Sequence, residues 1–274
     1  MTTNSLHFKS PAKINLYLKI LDKRLDGFHN LESAFQLIDL YDDIEIINLD
    51  SDEIKIRCEP PLIEMKDNII FKAVNILKKD YKIDKGIQIN LKKNIPIGAG
   101  LGGGSSNAAT VLLGLNKIWG LNITHQELLD RGKDLGADVP FFINGENAFV
   151  SGIGDQLELK ESERLKYVLL YPNINISTKE MFTHYERNIE TSVDINKEGQ
   201  NSFLKSVLSK YSEINAFYEK NIISFNILLT GTGSTLYIPY KNSDELDKIM
   251  QIIPINWRFF LTEAIQYSPL RGMK

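Results

Sequence analysis

The fifteen residues Pro96-Ile-Gly-Ala-Gly-Leu-Gly-Gly-Gly-Ser-Ser-Asn-Ala-Ala-Thr110 carry the strongest chemical signal in the chain. Gly98, Gly100, Gly102, Gly103 and Gly104 crowd into this run. Glycine this dense costs backbone entropy on folding, so the segment must use what only glycine allows. Two needs fit: left-handed backbone angles, or main chain bare enough for a ligand to lie against it. Ser105, Ser106 and Asn107 follow, and Ala108, Ala109, Val111, Leu112 and Leu115 recur at helical spacing. Serine and asparagine are N-cap types, so the helix is expected to open at that junction. Unpaired N–H groups and the positive end of the helix dipole would make it a phosphate site. A flexible linker would stay polar, whereas this run enters an apolar helix at once.

Gly98-x-Gly100-x-x-Gly103 also satisfies the dinucleotide-binding pattern, which raises a nicotinamide oxidoreductase as an alternative. That fingerprint requires a strand running into its first glycine and an acidic residue about 20 positions further on. Here Pro96 stands where the strand should still pair, and no acid closes a second strand near 120–125. The Gly-Lys-Ser/Thr ending of a Walker loop is missing as well.

Other reactive side chains lie far off in sequence. Lys13 and Asn15 share the polar face of an alternating segment, residues 12–20, and by periodicity alone that face reads as solvated. Phe28 and His29 directly follow the turn signal Asp26-Gly27. As plain structure they would be a core plug and a satisfied hydrogen-bonding residue. Asp138 sits between Gly136-Ala137 and the apolar run Val139-Pro140-Phe141-Phe142. It could cap a turn, but acids are seldom set beside so much hydrophobic surface without a partner or a task.

The elements that must position these groups follow from periodicity and punctuation. Strands are expected at 12–20, 31–38, 43–48, 53–58 and 86–91, with 31–58 broken by short acidic turns. A helix should run from Asp67 or Asn68 to Tyr81, and a capping box, Thr124-x-x-Glu127, should open another through Leu135. Further on, strands are expected at 167–171, 225–230, 235–240 and 257–262, with helices from Ser177/Thr178, over 202–220 and over 243–252. Residues 189–201 read as a polar loop. Strands alternating with helices from about 165 onward suggest a second α+β layer and a cleft between two lobes.

Bulk properties exclude several classes. The 274 residues are 43% hydrophobic and 24% charged, with a net charge of −3, so no basic nucleic-acid footprint is present. The lone cysteine, Cys58, can form no internal disulfide. No apolar run nears the ~20 residues of a membrane span, and residues 1–9 carry no signal-peptide core. A cytoplasmic protein with no membrane or nucleic-acid partner is expected; oligomeric state is left open.

Three ordered stretches together resemble the signatures of the GHMP small-molecule kinases. They are Pro11-Ala12-Lys13-Ile14-Asn15-Leu16, Pro96 through Ala109, and Leu229-Thr230-Gly231-Thr232-Gly233. Asp26-Gly27-Phe28-His29, the doubled Ser-Ser-Asn and Gly136-Ala137-Asp138-Val139-Pro140 resemble the branch whose alcohol substrate carries a cytidine diphosphate. Members acting on homoserine or mevalonate would have no use for Phe28, His29 and Phe182, and a non-catalytic binding module would be expected to lack Lys13 or Asp138. The resemblance implies an α+β fold, with a lobe like domain 2 of ribosomal protein S5 over 1–160 and a ferredoxin-like lobe over 161–274. It implies ATP as cosubstrate, a small-molecule alcohol as substrate, and Mg2+ held chiefly by phosphates and waters, with Ser106 a candidate ligand and no acid assigned. Asp138 would take the proton of the alcohol and Lys13 would neutralise charge. Pro96, Gly98, Ala99, Gly100, Leu101, Gly102, Gly103, Gly104, Ser105, Ser106 and Asn107 would wrap the phosphates of ATP, with Asp67, Asn68, Ile69 and Lys93 near the adenine. Asn15 would contact the substrate, Phe28 and Phe182 would sandwich its cytosine, and His29 and Thr178 would meet its edge. Gly231, Thr232 and Gly233 would close over its diphosphate. The branch usually has tyrosine where this chain has Phe28, which preserves stacking and drops one hydroxyl.

Overall fold

The computed structural model describes residues 5–61, 68–161, 163–187 and 200–273. Asp67, named above as a cap and adenine neighbour, lies outside them, as does most of the expected 189–201 loop.

Two sheets organise the chain. The first holds six strands in the order β3-β4-β2-β5-β6, with β1 also paired to β2. β1 (Ser5–Lys23) and β2 (His29–Leu49) form one long antiparallel hairpin. The expected break between 31–38 and 43–48 is absent. Asp42 and Asp43, read as turn residues, stay in the strand opposite Ser10 and Lys9. Asp42 can do so because it gains buried partners described below. β3 (Ile54–Glu59) runs parallel to β4 (Gly86–Lys92), which is antiparallel to β2. β5 (Ala148–Ser151) and β6 (Gln156–Leu159) complete the sheet. The next strand after the glycines, β5, pairs antiparallel to both its neighbours, so the glycines do not sit in the parallel βαβ unit that the dinucleotide fingerprint demands.

Four helices cover one face: α1 (Ile69–Asp80), α2 (Gly103–Trp119), α3 (His125–Leu135) and α4 (Val139–Asn144). Asn68 caps α1 by accepting from Ile70 N at 2.9 Å, an interaction worth about 1 kcal/mol. The Thr124/Glu127 capping box opens α3 as its spacing predicts. Ile70, Val74 and Leu77 of α1, with Val111, Leu112 and Leu115 of α2, interlock with Ile44, Ile46, Ile87 and Ile89 of the sheet. The Pro-Phe-Phe run is α4, with Phe141 and Phe142 fully buried in this core.

The second sheet has the order β10-β7-β9-β8, formed by β7 (Lys166–Tyr171), β8 (Leu228–Leu229), β9 (Leu236–Tyr240) and β10 (Arg258–Glu263). Its core gathers Val168, Leu170, Leu236 and Ile238 with Met181, Phe203, Val207, Ile214 and Trp257. These come from α5 (Thr178–Arg187), α6 (Leu204–Lys210), α7 (Ser212–Asn221) and the loops around them; α8 (Ser243–Met250) adds Ile249. The expected 202–220 helix is two helices, because Tyr211 takes extended angles (φ −120°, ψ 92°) between them. The expected strand 225–230 is reduced to two residues.

A third apolar cluster joins the lobes. Ala12, Ile14 and Ile38 of the hairpin and Ile95, Ala99 and Leu101 of the glycine segment pack on Tyr167, Leu169, Tyr171 and Tyr237. After β10 the chain returns to the first lobe: Ile265 N donates to Leu37 O at 3.0 Å, and Leu270 joins the first core. The glycine segment is thus clamped between both lobes.

Candidate active site

Between the lobes lies a cavity of ≈ 560 Å³ lined from both sides, within the range of ligand sites. Its floor on one side is the glycine loop. Gly98, Gly100 and Gly102 have φ of 61°, 77° and 70°, the left-handed region that glycine enters without penalty. The first need foreseen for the glycines, left-handed angles, is met at these three, and the close approach at four of the five is to protein. A Cβ on Gly98 would lie 1.4 Å from Asn175 Oδ1, and one on Gly100 2.3 Å from Thr230 O. A Cβ on Gly103 would meet Ile95 at 2.9 Å. Gly104 alone of the five looks onto open space.

The loop's carbonyls explain its posture. Gly98 O accepts from Ile176 N at 2.9 Å, Ala99 O from Thr235 N at 3.2 Å, and Leu101 O from Lys13 N at 3.0 Å. Gly100 O accepts from Thr230 Oγ1 at 3.1 Å. With four successive carbonyls turned toward protein donors, the first turn of α2 is presented to the cavity. The N–H groups of a helix's first turn have no intrahelical acceptor, and at Gly103, Gly104 and Ser105 they offer an anion site. The helix opens earlier than its sequence suggested: Gly102 is the N-cap, without a side-chain bond, and the Ser-Ser-Asn junction lies inside α2.

Lys13 and Asn15 are the main correction to periodicity. Their face of β1 is covered by Phe35 and the glycine loop at Lys13 and by Thr230 and Gly231 at Asn15, leaving Lys13 3% and Asn15 1% exposed. Lys13 Nζ donates to Asn15 Oδ1 at 2.7 Å, lies 3.4 Å from Asp138 Oδ2, and sits 4.3 Å above the Phe35 ring. Asn15 is held by five further bonds. Its Nδ2 donates to Ser33 Oγ at 2.8 Å, its N to Thr230 Oγ1 at 3.0 Å. Its Oδ1 accepts from Gly231 N at 2.9 Å and Thr230 Oγ1 at 3.4 Å, and its O from Tyr237 OH at 3.0 Å. Asp138 precedes α4 with no side-chain cap bond; its carboxylate lines the cavity and, among the described residues, has Lys13 as its ion-pair partner. Among the described residues it is the one carboxylate lining the cavity.

The second glycine element packs on the first: a Cβ on Gly231 would lie 2.9 Å from Gly100 Cα. Gly231 and Thr232 line the cavity, and Thr178 Oγ1 lies 3.4 Å from Thr232 Oγ1. Gly233 faces inward instead, toward Ile176, Val207 and Leu229. Phe182, on α5, stacks on His29 with centroids 5.3 Å apart and lies edge-on to Phe203 at 4.9 Å. Phe28 is 59% exposed at the hairpin tip, so it is no core plug. At the far end, Asn68, Ile69 and Lys93 line the cavity beside the glycine loop.

Ser106 departs from expectation. It is fully buried, and its Oγ pairs with Ser10 Oγ at 2.7 Å, so Ser105 and not Ser106 presents its side to the cavity. Among the described residues no cluster of three or more His, Cys, Asp or Glu could hold a metal. One carboxylate beside a phosphate-binding loop still suits magnesium, which keeps several waters and binds through one or two carboxylates plus substrate phosphates. Sequence reasoning missed Phe35, Phe203 and Asp42. Phe35 and Phe203 look like ordinary core residues, and Asp42 looks like half of an acidic turn.

Comparisons with known proteins identify the family. Residues 68–146 match the GHMP kinases N terminal domain. The chain is 39% identical to the 4-diphosphocytidyl-2-C-methyl-D-erythritol kinase of Aliivibrio salmonicida, over 98% of this chain and 96% of that protein. The chain belongs to the 4-diphosphocytidyl-2-C-methyl-D-erythritol kinase family. The family's Neisseria meningitidis member is 37% identical over 96% of each chain. In solved structures the fold recurs in 4-(cytidine 5'-diphospho)-2C-methyl-D-erythritol kinase, with TM-score 0.80 at 24% identity, covering 94% of this chain and 99% of that one. A mevalonate kinase shares it more loosely, with TM-score 0.68 at 15% identity over 94% and 99%. The α+β two-lobed GHMP kinase fold is therefore that of this chain. No helix among the described residues is long and apolar enough to cross a membrane.

Proposed function

We propose that this chain transfers the γ-phosphoryl group of ATP to the 2-hydroxyl of 4-diphosphocytidyl-2-C-methyl-D-erythritol, in the non-mevalonate route to isoprenoid precursors. The observation that carries the reading is the pair of buried Lys13 and half-buried Asp138, at 3.4 Å, opening on the same cavity as the glycine loop. Phosphoryl transfer asks little covalent chemistry of a protein beyond positioning and electrostatics. ATP lies with its phosphates on the amides of Gly103, Gly104 and Ser105 and its base toward Asn68 and Lys93. Mg2+ would supply charge neutralisation at the phosphates, and Asp138, which lines the same cavity, is the side chain that would help hold it.

The alcohol enters from the opposite end. Thr178 and Phe182 on α5, with Gly231 and Thr232, flank the cytidine diphosphate portion, and Asn15 orients the polyol. Asp138 accepts the hydroxyl proton as the new O–P bond forms and the bond to the β-phosphate oxygen breaks. ADP leaves, and the proton remains on the Asp138 carboxylate. Lys13, fixed by Asn15, offsets charge on the transferring oxygens. ADP release measured against a panel of the cytidine substrate, mevalonate, homoserine and galactose tests the assignment. Turnover confined to the cytidine substrate is expected, and faster turnover of any other alcohol would overturn it.

A further inference from the structure

Asp42 lies on β2, fully buried, and none of the chemistry above employs it. Its Oδ1 accepts from the backbone amides of Asn94 at 2.8 Å and Ile95 at 2.9 Å. Its Oδ2 accepts from Lys93 Nζ and, at 2.9 Å, from Asn107 Nδ2. One carboxylate therefore joins β2, the step from β4 into the glycine loop, and the second turn of α2. A buried carboxylate is costly unless paired and hydrogen-bonded, and four donors meet that requirement here.

The lysine gives the arrangement a role in recognition. Lys93 is 6% exposed at its side chain and lines the cavity. Its Nζ lies 3.1 Å from the point a Cβ on Gly103 would occupy, so it stands right behind the phosphate-binding turn. An unpaired ammonium in that place would be a second attractor for phosphate, in competition with the helix N-terminus. Held against Asp42, the pair carries no net charge. Two of the ammonium's three donors remain, and they suit a neutral acceptor such as the ring nitrogen of a base.

We propose that Asp42 is a positioning residue that fixes and neutralises Lys93, so that this end of the cavity takes the uncharged base of the nucleotide while the glycine loop takes its phosphates. The proposal rests on the reading that ATP occupies this end. Asp42→Asn keeps an oxygen for Asn94 and Ile95 but puts an NH2 where Lys93 and Asn107 need an acceptor. Binding of ATP and of inorganic tripolyphosphate is measured by calorimetry for the wild type, Asp42→Asn, Lys93→Met and the double variant.

Asp42→Asn is expected to weaken ATP by about 10-fold or more, the scale of losing a charged hydrogen bond. Tripolyphosphate should bind as well as before or better, and KM for the alcohol substrate should stay within about twofold. The double variant should bind ATP as Lys93→Met does, because Asp42 acts through that lysine. A purely structural role would weaken both ligands together, move both KM values and add to the effect of Lys93→Met; any of these overturns the proposal. The double variant leaves no unpaired charge in the core, so it carries the test where Asp42→Asn does not fold. There, ATP affinity about tenfold below that of Lys93→Met sinks the idea. ATP binding left untouched by Gly104→Val in the otherwise native protein would instead remove the nucleotide reading itself, and the proposal with it.

Discussion

Replacing Lys13 by methionine isolates charge from packing better than any other change in this site. Methionine keeps the unbranched stem that crosses the Phe35 ring, so the 3%-exposed slot stays filled. Asn15 loses one donor to its Oδ1 but keeps two, Gly231 N at 2.9 Å and Thr230 Oγ1 at 3.4 Å, so the second glycine element is not released. Asp138 loses its cation, yet its side chain is 29% exposed and water reaches it. Folding should therefore change by no more than about 1–2 kcal/mol, the ordinary cost of a substitution that leaves neither cavity nor stranded charge. Catalysis should change far more. Removing one preorganised electrostatic contact to a developing charge costs roughly 10²–10³ in kcat, or about 2.7–4 kcal/mol of transition-state stabilisation. The assay is ADP release at saturating ATP and alcohol, with ATP affinity measured separately by calorimetry and Tm by scanning calorimetry. Because Lys13 acts at the reacting oxygen and not at the nucleotide's base, Kd for ATP should hold while kcat falls. A folded Lys13→Met protein with near-normal kcat would refute the mechanism, since it would show the buried ammonium is there for structure alone.

Asp138→Asn should lower kcat by roughly 10²–10⁴, with ATP binding unchanged; a variant that turns over normally in steady-state assay removes Asp138 as the base. Gly104→Val and Gly103→Val should part company. The first puts its methyls into open cavity and should cost ATP affinity at constant Tm, whereas the second collides with Ile95 at 2.9 Å and should lower Tm. Phe182→Ala and Phe28→Ala should each raise KM for the cytidine substrate by about 10-fold, the lower range of base stacking on an aromatic ring. Phe28→Ala should do so with no change in Tm, because that ring is 59% exposed, and an unchanged KM excludes it from the substrate site. Burial pushes the Asp42 carboxyl above its ordinary range, against the pull of Lys93. The folded protein then holds that proton more tightly than the unfolded chain, so stability should fall as pH rises from the ordinary aspartate range through the folded-state value. Denaturation midpoints of wild type and Asp42→Asn across that window test it, and an identical slope in both would refute the assignment to Asp42.

What the sequence makes legible here depends on how local the physics is. The glycine loop and α2 are readable because both are set by short-range terms, backbone freedom and helical spacing. The capping box at Thr124 is readable for the same reason. Lys13 and Asn15 are not, since alternation assigns them to a solvated face, and only residues distant in sequence bury it: Phe35 and Gly102 beside Lys13, Thr230 and Gly231 beside Asn15. Their motif identity was visible only through resemblance, not through periodicity. Asp42 defeats sequence reading in a more general way. An acid next to another acid in a Tyr-Asp-Asp step looks like a turn, and nothing nearby supplies its partners. Lys93 lies 51 positions away and Asn107 65. A buried carboxylate becomes tolerable only when such distant donors converge, so its role belongs to the tertiary fold. The same logic explains why so many bonds of the cavity wall cross between lobes. Gly98, Ala99 and Gly100 are tied by Ile176, Thr235 and Thr230, and Asn15 by Gly231 and Tyr237. The glycine loop and the strand that carries Lys13 are fixed by the second lobe, so under the proposed function neither ligand's site can shift without moving the other's.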